Sequence, residues 1–336
     1  MKFLLPPLSF LLLTACVGAQ PEPEADLNTF GLDSLPDEFS QRTLDQFSAS
    51  AWLGSFKSAD LNFLVEKAIK ANRTLAQEAA AVRLAEQNVR ISDSTLWPNL
   101  GLSLSTQRDD TGMGSATQSG LSLTAGYEVD LWGRLNALQQ QSQIDLASQK
   151  ASYREAERTL VRDVVNAGFD ASSATQLLGL LNQRFTNLTE SLDVIERGYR
   201  SGLNDALDVY LSRNTLELER AGIANQQQIH FEALTRLELL LGDYPAAKLA
   251  VSANLQSLHL DPIAAGIPAN LLSRRSDIQQ AWLELLSADA GVAIAHRNRF
   301  PTLNLSSSLS DSSQELDQLL DGGSLMWRVA ASLIQP

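Results

Sequence analysis

The chain has 336 residues, of which 44% are hydrophobic and only 6% aromatic, with 19 glycines and 11 prolines. This composition is typical of long helices and not of a conventional layered core. The formal net charge of −13, without a long Lys/Arg cluster, excludes nucleic-acid binding as the expected role, because a phosphate backbone would be repelled. The single cysteine, Cys16, excludes intrachain disulfides and cysteine-rich zinc sites, and we expect no cofactor.

The N-terminus is typical of a secretory signal peptide, in which a basic residue precedes a mostly apolar stretch. The Leu-Thr-Ala-Cys sequence that ends at Cys16 is similar to a bacterial lipobox, which implies removal of residues 1–15 and lipid on Cys16. Val17 then favours the outer membrane, by resemblance to the lipoprotein sorting rule. An ordinary signal peptide with an incidental cysteine is the alternative. Pro6, Pro7 and the short apolar length argue against a spanning helix.

The sequence pattern changes twice between residues 16 and 131. Residues 16–58 are rich in Pro, Glu, Asp and Ser and are predicted to form an extended arm. From residue 59 to about residue 94, apolar residues recur at three- and four-residue steps, which predicts one helix. A Trp-Pro sequence ends it, and leucines then alternate with small polar residues. Residues 99–131 are therefore predicted to form a long β-hairpin with one apolar and one polar face.

A long helical hairpin is predicted at 133–242. From Gly133 to about Tyr199 the sequence lacks proline, which allows one helix of about 65 residues. Its second half carries a heptad seam that needs a partner helix: Leu160, Val164, Ala167, Ala171, Ala174, Leu178, Leu181, Phe185, Leu188, Leu192, Ile195 and Tyr199. The segment from Asp205 to Leu241 is predicted to return antiparallel as that partner. Its leucines are spaced more loosely: Leu207, Leu211, Leu218, Leu234, Leu237 and Leu241.

A unit of helix, break and strand occurs twice. The Phe-Pro-Thr-Leu sequence at residue 300 repeats the Trp-Pro-Asn-Leu sequence at residue 97, an offset of 203 positions. We interpret residues 59–245 as the first repeat, 246–272 as a linker, and 273–336 as a second repeat that stops within its β-hairpin. A complete duplication would continue with another helical hairpin of about 110 residues. The sequence is therefore expected to be either a fragment or a truncated relative.

The hairpins fit transmembrane β-strands, with leucines towards lipid and polar residues towards a wet lumen, where we place Glu128 and Asp130. A soluble sheet packed on helices would show the same alternation. Four strands cannot close a barrel, so the membrane interpretation requires several chains to share one. The candidate membrane-interface aromatics lie near the strand ends: Trp97, Tyr127, Trp132, Phe300 and Trp327.

Four motifs together resemble the outer membrane factor family, the TolC-like efflux channels, and within it the OprM/NodT lipoprotein type. They are the lipobox at Cys16, YEVDLWGR at 127–134, GYRSG followed by ALDVY between 198 and 210, and GIPANLLSRRSDI at 266–278. In the last motif Ser276 stands where the family usually has proline. The resemblance covers the chain from Cys16 to its last residue.

The resemblance implies a mainly α fold with transmembrane β-strands, assembled as a homotrimer. Each chain would give four strands to a shared outer-membrane β-barrel and long coiled-coil helices to a periplasmic α-barrel. The trimer would dock on a periplasmic adaptor protein of an inner-membrane pump. It would conduct small molecules such as drugs and toxic solutes passively, because the pump supplies the energy.

The resemblance also places a group of residues at the periplasmic tip, where the family meets its adaptor: Ser201, Gly202, Leu203, Asp205 and Asp208. Gly202 is equally expected simply as a turn residue. Asp205 and Asp208 are expected as helix-start carboxylates near the helix dipole rather than as aperture charges. If such an aspartate faced inwards, three copies would form a ring that selects cations.

Other polar residues have simpler interpretations. Arg274, Arg275 and Asp277 are expected to cap and pair the helix that begins near residue 276. His230 and His296 have no second ligand one turn away, so we expect them on helix surfaces and not in a metal site.

A channel has three alternatives. An enzyme is not expected, because the sequence has no Gly-x-Ser-x-Gly, His-Glu-x-x-His or phosphate-loop motif. A lipid-anchored periplasmic coiled-coil scaffold, whose hairpins form a soluble sheet, is the second. The third is an inactive, truncated remnant of a channel.

Overall fold

The computed structural model describes residues 59–110, 112, 114–250, 275–320 and 324–335. The predicted signal peptide, Cys16, the arm, Arg274 and most of the linker lie outside the described residues. The elements in chain order are α1 (Ala59–Ala71), α2 (Arg73–Ser94), β1 (Asn99–Asp110), β2 (Ser115–Val129), α3 (Arg134–Arg200), α4 (Ala206–Leu240), α5 (Ser276–Arg297), β3 (Thr302–Ser313), a short 3-10 helix (Asp317–Leu320) and β4 (Met326–Ile334). The predicted fold class, long helices with two β-hairpins, is confirmed.

The first helical segment is two helices, so the prediction of one helix from residue 59 to residue 94 was wrong. Asn72 adopts an extended conformation between α1 and α2, and its side chain accepts a hydrogen bond from the backbone N–H of Leu75 at 2.9 Å. This N-cap starts a new helix. The apolar period hides the break because it continues on both sides of Asn72.

The helical hairpin consists of α3, with 67 residues, and α4, with 35. At about 1.5 Å per residue, α3 is about 100 Å long. The predicted seam is confirmed in the middle of α3, where five of its residues are buried: Leu160, Val164, Ala167, Ala171 and Ala174. The small alanines let the partner helices approach closely.

In α4 the leucine pattern was only half correct. Leu234, Leu237 and Leu241 are buried as predicted, but the leucines nearer the tip, Leu207, Leu211 and Leu218, are exposed. Val209, Leu216, Glu219 and Gln226 are buried instead. Their heptad spacing of seven, three and seven continues the face that packs on α3, whereas the leucines lie on the opposite face.

The hydrophobic core lies at the base of the hairpin, where α1 packs against α3 and α4. Its buried residues include Leu64, Val65, Ala68, Leu75, Val164, Val165, Leu234, Leu237 and Leu241. Gly168 on α3 lets Leu61 of α1 come close, since an added Cβ would lie 3.3 Å from its Cδ2 atom. Each fully buried leucine or valine contributes roughly 1.5–3 kcal/mol, so this base is where the hairpin is held.

The four strands form one antiparallel sheet in the order β1-β2-β3-β4. β2 pairs with β3, with Leu123 opposite Leu309, so the two hairpins join edge to edge. β1 and β4 remain as the free edges.

The internal repeat is confirmed residue by residue. α2 and α5 both have 22 residues, and β1 and β3 both have 12, with every bound displaced by 203 positions. Arg275, which precedes α5, has the same extended backbone as Asn72 but no side-chain cap. The duplicated unit therefore includes the backbone of the helix start. None of the described helices combines the length and hydropathy needed to cross a bilayer.

Candidate functional site

The sheet has one apolar face built from every second residue of each strand. Cross-strand register groups these residues into five rows, which run from Val129-Leu303-Leu333, through Tyr127-Leu305-Ala331, Leu100-Ala125-Ser307-Val329 and Leu102-Leu123-Leu309-Trp327, to Leu104-Leu121-Asp311. On the edge strands these residues are highly exposed, from 63% for Leu104 to 77% for Trp327. The short 3-10 helix packs against β2 and β3, where Asp311 is buried, and leaves these edge-strand residues exposed. A contiguous apolar patch of this size marks a surface that is buried by something else.

The opposite face of the sheet is rich in hydroxyl groups and has few charges. The Ser103 and Ser122 hydroxyls lie 2.7 Å apart across β1 and β2, and Thr124 donates to the carbonyl oxygen of Gly101 at 3.3 Å. β3 continues the polar face with Asn304 and four serines at alternate positions: Ser306, Ser308, Ser310 and Ser312. One wet face and one apolar face are what a strand between lipid and a water-filled lumen needs.

Glu128 and Asp130 form the junction between sheet and helix. The Glu128 carboxylate accepts three hydrogen bonds from the Arg134 guanidinium, the shortest at 2.7 Å. Asp130 accepts the backbone N–H groups of Leu135 and Asn136, both at 3.0 Å, and so satisfies the first turn of α3. Asp130 lies after the end of β2, and both carboxylates fix the angle between strand and helix. Their predicted place in a lumen stays a prediction.

The predicted interface aromatics divide into two groups. Trp132 stacks on Phe300 with ring centroids 4.9 Å apart, and its indole N–H donates to the carbonyl oxygen of Pro301 at 2.8 Å. This contact joins the end of the first hairpin to the start of the second, a role that sequence spacing did not reveal. Trp97 and Trp327 are largely exposed, and Tyr127 is half-buried on the apolar face. Their contact with a membrane interface stays a prediction.

The hairpin tip is a Schellman turn followed by a capped helix. The N–H of Leu203 bonds to the carbonyl oxygen of Gly198 at 2.8 Å, and that of Gly202 bonds to Tyr199 at 3.0 Å. Gly202 has φ +80°, which favours glycine, so the turn requirement is met whatever else the residue contacts. Leu203 is 83% exposed beside it, and Ser201 caps the end of α3.

Asp205 and Asp208 form a capping box at the start of α4. The Asp205 side chain accepts the Asp208 N–H at 3.0 Å, and the Asp208 side chain accepts the Asp205 N–H at 3.3 Å. The helix-start interpretation thus describes their contacts within the chain. Contact of the tip with an adaptor stays a prediction.

The carboxylate of Glu238, at the base of the hairpin, is buried although no sequence pattern predicted it. Glu238 accepts backbone N–H groups from Ala246, Ala247, Lys248 and Leu249 at 2.6 to 3.0 Å. Burial by itself raises the pKa of Glu238, but these four donors outweigh it and hold the pKa below its ordinary value. The carboxylate fixes the path of the chain after α4. No local sequence motif predicts this role of Glu238, because the donors are backbone groups of an irregular segment.

Arg275 and Asp277 pair at the start of α5 as predicted, at 2.6 Å. The hydrogen bond from Arg275 holds the pKa of Asp277 below its ordinary range. His230 lies 3.1 Å from the Thr175 hydroxyl, and His296 meets the Phe300 ring edge-on at 5.8 Å. Within the described ranges, no group of three His, Cys, Asp or Glu residues is placed to hold a metal ion.

Comparison with known proteins shows the family. The model of a family described as "Outer membrane efflux protein" matches residues 64–243 and 267–336. The cation efflux system protein CusC of Escherichia coli O6:H1 is 27% identical over an alignment of 302 positions, which covers 87% of this chain and 66% of that protein. The toluene efflux pump outer membrane protein TtgF of Pseudomonas putida is 29% identical over an alignment of 284 positions, which covers 82% of this chain and 59% of that protein. This chain therefore spans less than two thirds of the length of these relatives.

The fold agrees with that family. The structure of the Campylobacter jejuni CmeC outer membrane channel superposes with a TM-score of 0.79 at 21% identity, over 89% of this chain and 66% of that one. The residues that the family model matches contain the helical hairpin, both β-hairpins and the repeated helices. The resemblance drawn from the sequence motifs is confirmed, and the chain belongs to the outer membrane efflux protein family.

Proposed function

We propose that this protein is the outer-membrane channel of a tripartite efflux or export system and conducts small molecules passively. The observation that carries the proposal is a sheet with an exposed apolar face and a polar face, attached directly to α3, a helix about 100 Å long. Family membership supports a channel and not an enzyme.

The free edges of the sheet support a homotrimer. β1 and β4 each present one row of unpaired backbone groups, and such rows are too costly to leave open in lipid. If β1 of one copy pairs with β4 of the next, three copies close a barrel of about twelve strands, the number that four strands per chain require. The Trp132–Phe300 contact then lies at the boundary between barrel and helices.

The remaining assignments belong to the same proposal. The tip formed by Ser201, Gly202, Leu203, Asp205 and Asp208 would contact a periplasmic adaptor protein of an inner-membrane pump. Cys16 would carry lipid and anchor the chain to the outer membrane, with the helices extending into the periplasm. A lipid group is an anchor and leaves the channel to the barrel.

The decisive experiment separates a channel from a scaffold. Residues 1–16 are replaced with the cleavable signal peptide of a non-lipidated exported protein, and the full remaining chain is expressed in a Gram-negative host. A channel stays in the outer membrane, needs detergent for extraction, and gives discrete conductance steps in planar lipid bilayers. A scaffold moves to the soluble periplasmic fraction, and an inactive remnant stays in the membrane without conductance.

Lipidation is tested on the unaltered chain. Incorporation of labelled palmitate and the mass of the N-terminal peptide should both show a lipidated Cys16, and a Cys16→Ser variant should incorporate none. An unmodified peptide that begins elsewhere would overturn the anchor while leaving the channel proposal intact.

A further inference from the structure

Arg328 is a charged residue on the polar face of the sheet, level with the middle of the five apolar rows. Register places it opposite Ser308 on β3, which in turn lies opposite Thr124 on β2. Arg328 lies between Val329 and Trp327, whose side chains belong to the third and fourth of the five apolar rows on the other face. Its side chain is exposed.

The surroundings of Arg328 on this face are neutral. Its cross-strand and diagonal neighbours on β3 are Ser308, Ser306 and Ser310, and its neighbours along β4 are Met326 and Ala330. Diagonal neighbours lie about 7–8 Å apart, within reach of a long side chain. The guanidinium therefore has hydroxyl groups around it and no carboxylate at these positions.

The acids of the same face lie far away or are already paired. Glu128 is four residues along β2 from the row of Arg328 and is held by Arg134. Asp109 is eight residues along β1 from that row, which is about 27 Å at 3.4 Å per residue. The local charge at mid-height is thus positive, although the chain as a whole is strongly acidic.

The depth of Arg328 also requires water on its side of the sheet. A guanidinium level with the apolar rows is costly unless it faces a water-filled cavity, and such residues mark solute pathways. In a closed trimeric barrel, symmetry would place three copies at one height around the lumen.

From these positions we propose that Arg328 forms a three-membered ring in the barrel lumen that binds the anionic groups of passing solutes. This inference rests on the proposed channel function and names a solute class for it. A guanidinium donates two parallel hydrogen bonds to a carboxylate, phosphate or sulfonate, and the neighbouring serine hydroxyls can donate to the same group. A ring of arginines is a known way to favour anions.

The test uses the full chain in planar bilayers under a potassium chloride gradient. Arg328→Gln is expected to lower the chloride-to-potassium permeability ratio by about two-fold or more, and Arg328→Lys to retain most of the wild-type ratio. Arg108→Gln is the matched control, because it removes the same charge from β1 at a position of the opposite face. Benzoate, the probe for an organic anion, should reduce wild-type chloride current and affect Arg328→Gln less.

The outcomes distinguish this inference from the function on which it rests. If wild-type channels conduct, and the permeability ratio differs from the wild type equally in Arg328→Gln and Arg108→Gln, or in neither, the anion ring is overturned. The proposed channel function still stands in that case. A wild-type chain that inserts without any conductance would overturn the channel, and the anion ring with it. Because conductance itself reports folding, a variant that gives normal channels has not failed through misfolding.

Discussion

The side-chain amide of Asn72 donates a hydrogen bond to the backbone carbonyl of Leu240 at 2.9 Å, across 168 residues of sequence. The oxygen of the same amide caps α2 through the N–H of Leu75. One buried side chain therefore starts one helix and satisfies the end of another. Gly242 reinforces the joint with a Schellman turn, in which its N–H bonds to Leu239 at 3.1 Å.

Replacing Gly242 with alanine should destabilise this joint. Its φ of +73° disfavours any side chain, and an added Cβ would collide with the carbonyl oxygen of Ala71. We expect a loss of about 2 kcal/mol or more, seen as a lower midpoint of thermal unfolding by circular dichroism in detergent. Gly222→Ala is the control: that glycine lies inside α4 with open space around it, so the change should stabilise by up to about 1 kcal/mol. Equal effects of the two changes would refute the steric argument.

The proposal that the apolar face of the sheet contacts lipid can be tested with one pair of neighbours on β1. Leu102→Arg places a charge in the fourth apolar row and should cost about 2–4 kcal/mol of folding into lipid vesicles. Ser103→Arg places the same charge on the polar face and should cost much less. The measurement is the urea midpoint of refolding into vesicles, followed by tryptophan fluorescence. A reversed order would mean that the two faces have been assigned the wrong way round.

Ser276 is the first residue of α5, is 1% exposed, and its hydroxyl oxygen has no hydrogen-bond partner among the described atoms. Ser276→Pro should raise the melting temperature, because the first amide of a helix has no partner within the helix and proline presets its φ. Arg275 already has the extended backbone that precedes proline. The backbone N–H of Gln279 donates to the carbonyl oxygen of Arg275 at 3.0 Å. Gln279→Pro removes this hydrogen bond and should instead lower the free energy of unfolding by about 3 kcal/mol. A lower melting temperature for Ser276→Pro would contradict this view.

Asp205 allows the cap to be separated from the charge. Asp205→Asn keeps an N-cap acceptor and should protect the first turn of α4 as well as the wild type, whereas Asp205→Ala should lose about 1 kcal/mol. Hydrogen exchange of the tip peptide, read by mass spectrometry, measures both. If the residue is instead an aperture charge, Asn and Ala will change cation conductance alike, and the exchange rates will not separate them.

Glu238 should make stability depend on pH. Its pKa is lower in the folded protein than its ordinary value of about 4.3, so its contribution is full above that value and is lost as the pH falls through the folded pKa. Glu238→Gln should cost about 1–3 kcal/mol at pH 7, and its deficit relative to the wild type should shrink below about pH 4. Thermal unfolding at several pH values measures this, with Glu232→Gln, an exposed residue of the same helix, as the neutral control. A deficit that does not vary with pH would exclude the carboxylate as its cause.

Much of the architecture could be predicted because periodic or duplicated sequence patterns specify it. A long stretch without proline predicts the 67-residue α3. The second repeat is predicted because Phe300-Pro301 repeats the aromatic-proline pair Trp97-Pro98. These signals are local, or are copies of a local signal, so they can be recognised without knowledge of the tertiary structure.

The missed features depend on contacts between distant residues. Leu207 and Leu211 are as apolar as Leu237, and only the orientation of α4 against α3 decides that the first two are exposed. The donors to Glu238 are backbone groups, which carry no sequence signature. The Trp132–Phe300 stack needed the sheet register to bring the two repeats together.

The pairing of β2 with β3 also orders events during folding. Tyr127 and Leu305 are partners although they lie 178 positions apart, and closing so large a loop early would be slow. The helices shorten the effective loop in two steps. α4 ends against the middle of α3, and α5 then packs along α3 until Arg297 donates to the carbonyl oxygen of Gly133 at 3.0 Å, beside the start of β3. The helical hairpin and the two local β-hairpins are thus expected to form before the strands of the two repeats meet. A mutation that loosens the contact between α3 and α4 would then leave four open strand edges exposed for longer, and would promote aggregation before the four-stranded sheet is complete.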